Sequence, residues 1–230
     1  PVPTAVLTKQ TGYDRYSLQD LTDFMPCFLQ DWTGEQFDGI LTGFISNAAQ
    51  GEHIAAFIDR FRQKNTLLLV DPVMADDGVL YDGFDAARCQ AICRLAETAD
   101  IITPNLTELS ILTNSDYTED YTSVCSMAAH LAQKNQQCVV VTGFRHRNTM
   151  HTLVFSATGK TDIEAPLYDG SFSGTGDVFA SVLMGSVLTG QSVEAAAKAA
   201  VDFIDKSICA TSDTDRRAGI AFEKYLGECI

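Results

Sequence analysis

Basic side chains are scarce in this chain. Sixteen Lys and Arg stand against 30 Asp and Glu, which leaves a formal charge of −14. A nucleic-acid binder needs a basic face to neutralise phosphates, so no nucleic-acid partner is expected. Long apolar runs are missing too: none reaches the ~20 residues of a membrane span, and no signal-peptide pattern opens the chain as given. No membrane partner is expected, and the acidic balance suits a soluble, cytoplasmic protein. The seven cysteines are odd in number and contain no C-x-x-C. That argues against a disulfide framework and for a reducing compartment. Cys89 and Cys93 are four apart and read as core residues on one helix face. Repeats, linkers and low-complexity segments are absent, so residues 1–230 read as one domain. With 46% hydrophobic residues and only 20% charged ones, the chain can fill a sizeable core, which argues against disorder.

What is present is a rhythm. Apolar runs of strand length at 3–8, 39–44, 66–71, 100–103 and 138–143 are separated by helical patterns at 18–30, 47–64, 82–97, 105–113 and 120–135. Two consecutive strand patterns follow, "MHTLVFSAT" and "KTDIEAPLY", with a turn near Gly159. They predict an antiparallel hairpin on the sheet edge. Helices at 174–189 and 192–210, separated by Gly190, close the pattern. Strands apolar on both faces and alternating with helices predict an α/β fold of three αβα layers on a mainly parallel sheet. In such sheets ligands lie beyond the carboxyl ends of the strands. Asp71, Thr103 with Asn105, and Thr142-Gly143 are therefore expected to converge on one edge.

The stretch "SGTGDVFAS" is expected to join them. Gly174, Thr175 and Gly176 can expose successive backbone N–H groups at a helix start, which binds anions. A carboxylate at Asp177, beside an incoming phosphate, makes sense as the acceptor of a proton from an attacking hydroxyl. The same stretch also reads as an ordinary helix start capped by Thr175 or Asp177. It is no dinucleotide fingerprint, because Phe179 occupies the third glycine position, and neither G-x-x-x-x-G-K-[ST] nor H-R-D occurs. "DPVMADDG" adds Asp71, Asp76 and Asp77, and "TPNLTE" adds Asn105 and Glu108. Carboxylates and amides around a phosphate suit Mg²⁺. Singly, Asp71-Pro72 can merely end a strand, and Asn105 and Glu108 can form a helix cap.

The segments "PTAVLTKQTGY", "DPVMADDGVLY", "DIITPNLTEL", "VVVTG" and "SGTGDVFAS" resemble, in order and spacing, the vitamin kinases of the ribokinase superfamily, and among them the pyridoxal kinases. The resemblance covers nearly the whole chain. It implies a ribokinase-like fold and ATP-dependent phosphorylation of the 5′-hydroxymethyl of a B6 vitamer, with ATP and the vitamin as small-molecule partners. It implies Asp177 as catalytic base, Gly174, Thr175 and Gly176 as anion hole, and Asp71 and Glu108 as residues arranging Mg²⁺. It implies Asn105, Thr142 and Gly143 at the ATP phosphates and Asp76 and Tyr81 on a flap over the nucleotide. Thr11, Tyr13 and Phe44 fall where the family surrounds the pyridine ring, although core packing fits Tyr13 and Phe44 nearly as well. The resemblance also admits a monovalent cation and implies a homodimer.

Three departures stand out. Gln10 replaces a His that the family often has before T-G-Y, and Ala75 replaces its usual Gly. The chain as given also starts at the family's second strand, without the preceding strand and helix. If residues 1–230 were the entire polypeptide, "PTAVLT" would lie exposed or pair with another chain, and the natural protein is therefore expected to be longer. Two rival functions share much of the pattern. Hydroxymethylpyrimidine kinases often carry Cys where Asp177 stands, and a non-catalytic vitamer-binding protein would not need Asp177.

Overall fold

A computed structural model of the chain describes residues 5–7, 18–170, 172–211 and 219–228. The elements are β1 (Ala5–Leu7), β2 (Leu18–Asp20), α1 (Met25–Asp31), β3 (Gly39–Thr42), α2 (Ala48–Phe61), β4 (Leu67–Val70), β5 (Ala75–Asp76), β6 (Val79–Leu80), α3 (Ala86–Glu97), β7 (Ile101–Ile102), α4 (Leu106–Thr113), α5 (Tyr121–Asn135), β8 (Cys138–His146), β9 (Thr149–Ser156), β10 (Gly159–Pro166), α6 (Thr175–Leu188) and α7 (Val193–Cys209).

Among the described residues, six strands form the central sheet in the order β10-β9-β8-β7-β4-β3. The pairs β3–β4, β4–β7 and β7–β8 are parallel. The pairs β8–β9 and β9–β10 are antiparallel, so the edge hairpin is present and the mainly parallel three-layer arrangement holds. Alternation along the strands sorts the core into two halves. Leu68, Val70, Val139 and Val141 point to the face covered by α2, α3, α4 and α5. Leu69, Ile101, Val140 and Val154 point to the face covered by α6 and α7. Both faces are dry, which is why these strands are apolar throughout.

Helix starts follow from local chemistry. Asn47, Asp85, Asp120 and Ser192 each cap a helix by accepting a backbone N–H three residues on. Asn105 does the same for α4 and is answered by Glu108, a complete capping box. Close approach fixes one glycine: a Cβ on Gly51 in α2 would stand 2.8 Å from Ala91 Cβ in α3 and 3.2 Å from Ile45 Cδ1. Gly51→Ala gains up to ~1 kcal/mol of helix propensity, but forcing the helices apart costs ~1–3 kcal/mol. A lower melting temperature is expected, and an unchanged or raised one would show that α2 and α3 do not pack this closely.

Three sequence expectations are corrected. Residues 18–30 are not one helix: β2 and a 3-10 turn at Thr22–Phe24 precede α1. The opening strand is paired within the chain, as β1 runs antiparallel to β2 with Ala5 opposite Asp20. Thr142-Gly143 does not end its strand. β8 continues to His146 across a register shift between Val141 and Phe144, with Gly143 at φ 66°. Six of the seven cysteines lie in the described residues and are free, with Cys89 buried as expected.

Candidate active site

The carboxyl ends of β4 and β7 carry two neighbouring polar groups. Asp71, which follows β4, is 9% exposed. Thr103, which follows β7, donates from Oγ1 to Asp71 Oδ1 (2.8 Å). Burial raises the Asp71 pKa to about 7, against the stabilising Thr103 bond and with a smaller push from the charge of Asp177.

Glu108, 4% exposed, sits in the first turn of α4. Its Oε2 accepts from the Asn105 N–H (3.0 Å) and its Oε1 from the Met74 N–H (3.1 Å). Burial, followed by the charge of Asp71, lifts its pKa to about 8 despite those donors. Asn105 is equally committed: Oδ1 accepts from the Glu108 N–H (2.9 Å) and Nδ2 donates to the Ala75 carbonyl (2.7 Å). The cap reading of Asn105 and Glu108 is therefore correct as far as it goes. The same two side chains also grip the root of a small hairpin.

That hairpin, β5 and β6, is the expected flap. It turns through Asp77 and Gly78, both in the left-handed region. The Gly78 N–H donates to Thr107 Oγ1 (2.8 Å), which pins the tip to α4. Asp76 is exposed, and partial burial raises its pKa against the Asp77 N–H that it accepts from and, to a lesser degree, the charge of Arg145. Tyr81 follows β6, with its ring 6.0 Å from Phe84. Burial and then the nearby carboxylates of Asp76, Glu108 and Asp71 push the phenol pKa up. Ala75, where the resembled family has Gly, is fully buried at the flap root.

Helix α6 supplies the third side. Among α2 to α7 it is the helix whose N-cap makes no side-chain bond: Gly174 takes that position at φ 78°. Thr175 Oγ1 donates back to the Phe172 carbonyl (3.3 Å) rather than capping. The reading of Thr175 or Asp177 as an ordinary cap is thus set aside. The first N–H groups of a helix have no intrahelical partner, and the cap residue here, a glycine, brings no side-chain acceptor to them. Asp177 stands in this first turn, exposed, with its pKa raised by partial desolvation. A methyl group on Gly176 would be 3.9 Å from Asp71 Oδ2, so the helix start abuts the β4 carboxylate. Gly219, at φ 90°, approaches the Ser173 carbonyl and backs the loop.

The fold brings Asp71, Glu108, Asn105, Asp76, Tyr81, Gly174, Thr175, Gly176 and Asp177 to one edge. Thr142 joins them through its N–H, which donates to the Pro104 carbonyl (2.9 Å) next to Asn105. Gly143 follows it at the bulge. Phe44 lies further along, its ring 6.1 Å from Phe84, with the Arg88 guanidinium 4.7 Å from its centroid. Thr11 and Tyr13 fall outside the described residues. Sequence reasoning missed Thr107, Arg145 and the Phe84–Arg88 pair, which stand 3.4 Å apart. Thr107 carried a signal, since it lies between Asn105 and Glu108.

For metal, the donor set is two buried carboxylates of like charge, both raised by burial, Glu108 further by the charge of Asp71 and Asp71 by that of Asp177, a combination a cation relieves. Asp71 Oδ2 is the oxygen without a hydrogen bond among the described residues, whereas both oxygens of Glu108 accept backbone N–H groups. This fits an ion that keeps most of its waters, with Glu108 acting from behind.

Residues 4–221 match a family model described as phosphomethylpyrimidine kinase. The pyridoxine/pyridoxal/pyridoxamine kinase of Bordetella avium is 30% identical over 226 residues, covering 93% of this chain and 76% of the relative. A crystal structure of a Bacteroides thetaiotaomicron protein, assigned as a phosphomethylpyrimidine kinase and solved with pyridoxal, has 34% identity and a TM-score of 0.92, covering 100% of this chain and 84% of that one. Pyridoxal kinase from Leishmania donovani, in complex with ADP and pyridoxamine, has 25% identity and a TM-score of 0.82, covering 99% and 84%. The chain spans between about half and three fifths of the length of several further curated pyridoxal kinases.

Proposed function

Since this chain belongs to the phosphomethylpyrimidine kinase family, a family of the ribokinase-like superfamily with pyridoxal kinases among its relatives, we propose that it transfers the γ-phosphoryl group of ATP to the 5′-hydroxymethyl of a B6 vitamer. One observation carries the reading: a carboxylate, Asp177, stands in the first turn of a helix whose cap is a bare glycine, against the buried Asp71. An acid beside an anion site is unfavourable unless it takes up a proton there.

In this mechanism Asp177 accepts the proton of the vitamin hydroxyl as its oxygen attacks the γ-phosphorus and ADP departs. Its raised pKa makes it a better proton acceptor than an ordinary aspartate. The N–H groups of Thr175, Gly176 and Asp177 take the charge spread over the equatorial oxygens. Mg²⁺, when bound, neutralises phosphate charge, and Asp71 and Glu108 are the residues that would hold it and its waters. Asn105 keeps the flap root on α4, and Thr107 keeps its tip there, which positions Asp76 and Tyr81 over the nucleotide. Phe44 borders the vitamin side.

The similar pyridoxal kinase with ADP and pyridoxamine bound together supports ATP as donor and B6 vitamers as acceptors. The family model's description supports a second reading, phosphorylation of a hydroxymethylpyrimidine. An aspartate at 177 favours the vitamer. A coupled assay of ADP release with pyridoxal, pyridoxine, pyridoxamine and hydroxymethylpyrimidine tests the choice. Turnover highest with a vitamer is expected; turnover highest with the pyrimidine would select the second reading, and no turnover with any would remove both.

A further inference from the structure

We infer that Arg145 is a positioning residue for the phosphate chain of the nucleotide, reached through the bulge in β8. The inference rests on the kinase reading above and adds a residue to it.

In the sequence, Arg145 belongs to "TGFRHR" (142–147), a basic cluster in an acidic chain. Strand alternation alone would put Val141, Gly143 and Arg145 on one face, the face of Val141, which is covered by α5. The register shift between Val141 and Phe144 reverses this. Phe144 takes the buried place beside Val141 in the α5 half of the core. Arg145 therefore turns to the opposite face, the one that carries α6 and Asp177. Three residues earlier on the same strand, Thr142 is bonded to Pro104 at the site. Gly143 permits the bulge, with its φ of 66°.

The Arg145 side chain is exposed, and among the described residues it makes no hydrogen bond or ion pair. Its charge acts on Asp76 of the flap, and that flap hangs over the same edge. The other charges that bear on Asp71, Glu108 and Tyr81 come from carboxylates. A polyphosphate entering between Asp71, Asp76, Asp77, Glu108 and Asp177 meets strong repulsion. A guanidinium with five fixed donors at the flap is the protein group suited to offset it. The charge of Arg145 bears on Asp76, and when the nucleotide binds its guanidinium is drawn to the phosphate oxygens instead.

The exchange makes two variants act with opposite signs. Calorimetry of the full chain with Mg²⁺-ATP and with adenosine is the test. Arg145→Ala is expected to weaken ATP by about tenfold or more and to leave adenosine binding and the melting temperature unchanged. Arg145→Lys should recover part of the loss. Asp76→Asn, which removes the negative charge beside the incoming phosphates, is expected to bind ATP more tightly than wild type. Equal ATP affinity for wild type and Arg145→Ala would overturn the inference. So would equal losses of ATP and adenosine, or equal weakening by Arg145→Ala and Asp76→Asn, which would make Arg145 a latch on the flap. A wild-type chain that binds no ATP would overturn the kinase reading together with this one.

Discussion

Asp177→Asn is expected to lower turnover of pyridoxal by roughly 10²–10⁴-fold with the fold intact. Asn matches Asp in size, and Asp177 makes no side-chain capping bond whose loss would unsettle α6. The stability change should stay within about 1 kcal/mol, the range of substitutions that touch no buried partner. The replacement removes one negative charge from the neighbourhood of Asp71, whose pKa Asp177 raises. Nucleotide affinity should therefore hold or improve while the chemical step fails. That split separates a base from a binding group, because loss of a phosphate contact would raise KM for ATP instead. The measurements are kcat with pyridoxal, ATP affinity and thermal unfolding of both forms. A well-folded variant that keeps most of its turnover would leave Asp177 without a catalytic role.

The second large effect concerns Asp71 and Glu108, whose pKa values are raised to about 7 and about 8. In the unfolded chain they titrate near their ordinary values, about 4. Between about pH 4 and pH 8 the folded state thus binds more protons than the unfolded state. Stability contributed by this pair is fully present at the acid end and falls as pH rises through that window. At ~1.4 kcal/mol for each pH unit separating folded and unfolded values, the loss is on the order of several kcal/mol. Without divalent metal, melting temperature should fall relative to an Asp71→Asn, Glu108→Gln variant as pH rises from about 5 to about 8. Added Mg²⁺ should restore the wild type at the upper end and leave the variant unmoved. Parallel pH profiles for the two proteins would show that the carboxylates are not strained, and equal Mg²⁺ effects on both would remove the metal assignment.

The sheet and most of the site were legible because their signals are local. Leu67 to Val70 and Val139 to Val141 are apolar on both faces, and only a strand covered on both sides explains that. G-T-G-D marks a helix start by its glycines, and Asn105 with Glu108 spells a capping box at its spacing of three. Long-range facts were not legible. Leu18–Asp20 looks like the opening of a helical pattern, and only its pairing with Ala5–Leu7 makes it a strand. The bulge after Val141 depends on antiparallel pairing with β9, so Thr142-Gly143 resembled a strand end. Nor does spacing reveal that Glu108 captures the Met74 N–H 34 residues away, or that Thr107 captures Gly78. These bonds convert an ordinary helix cap into a support for the flap. Arg88 would ordinarily be placed on a helix surface. It is 4% exposed because the Phe84 and Phe44 rings cover its guanidinium.

The central claim is that this edge moves a phosphoryl group onto a vitamin hydroxyl with Asp177 as base. Phosphorus NMR of the full chain incubated with Mg²⁺-ATP and pyridoxal tests it most directly. The account predicts a phosphate monoester on the 5′ oxygen of pyridoxal, formed in step with ADP by the wild type and lost to the background rate in Asp177→Asn. ADP and inorganic phosphate without the ester, or ester formed at the same rate by both proteins, would contradict it.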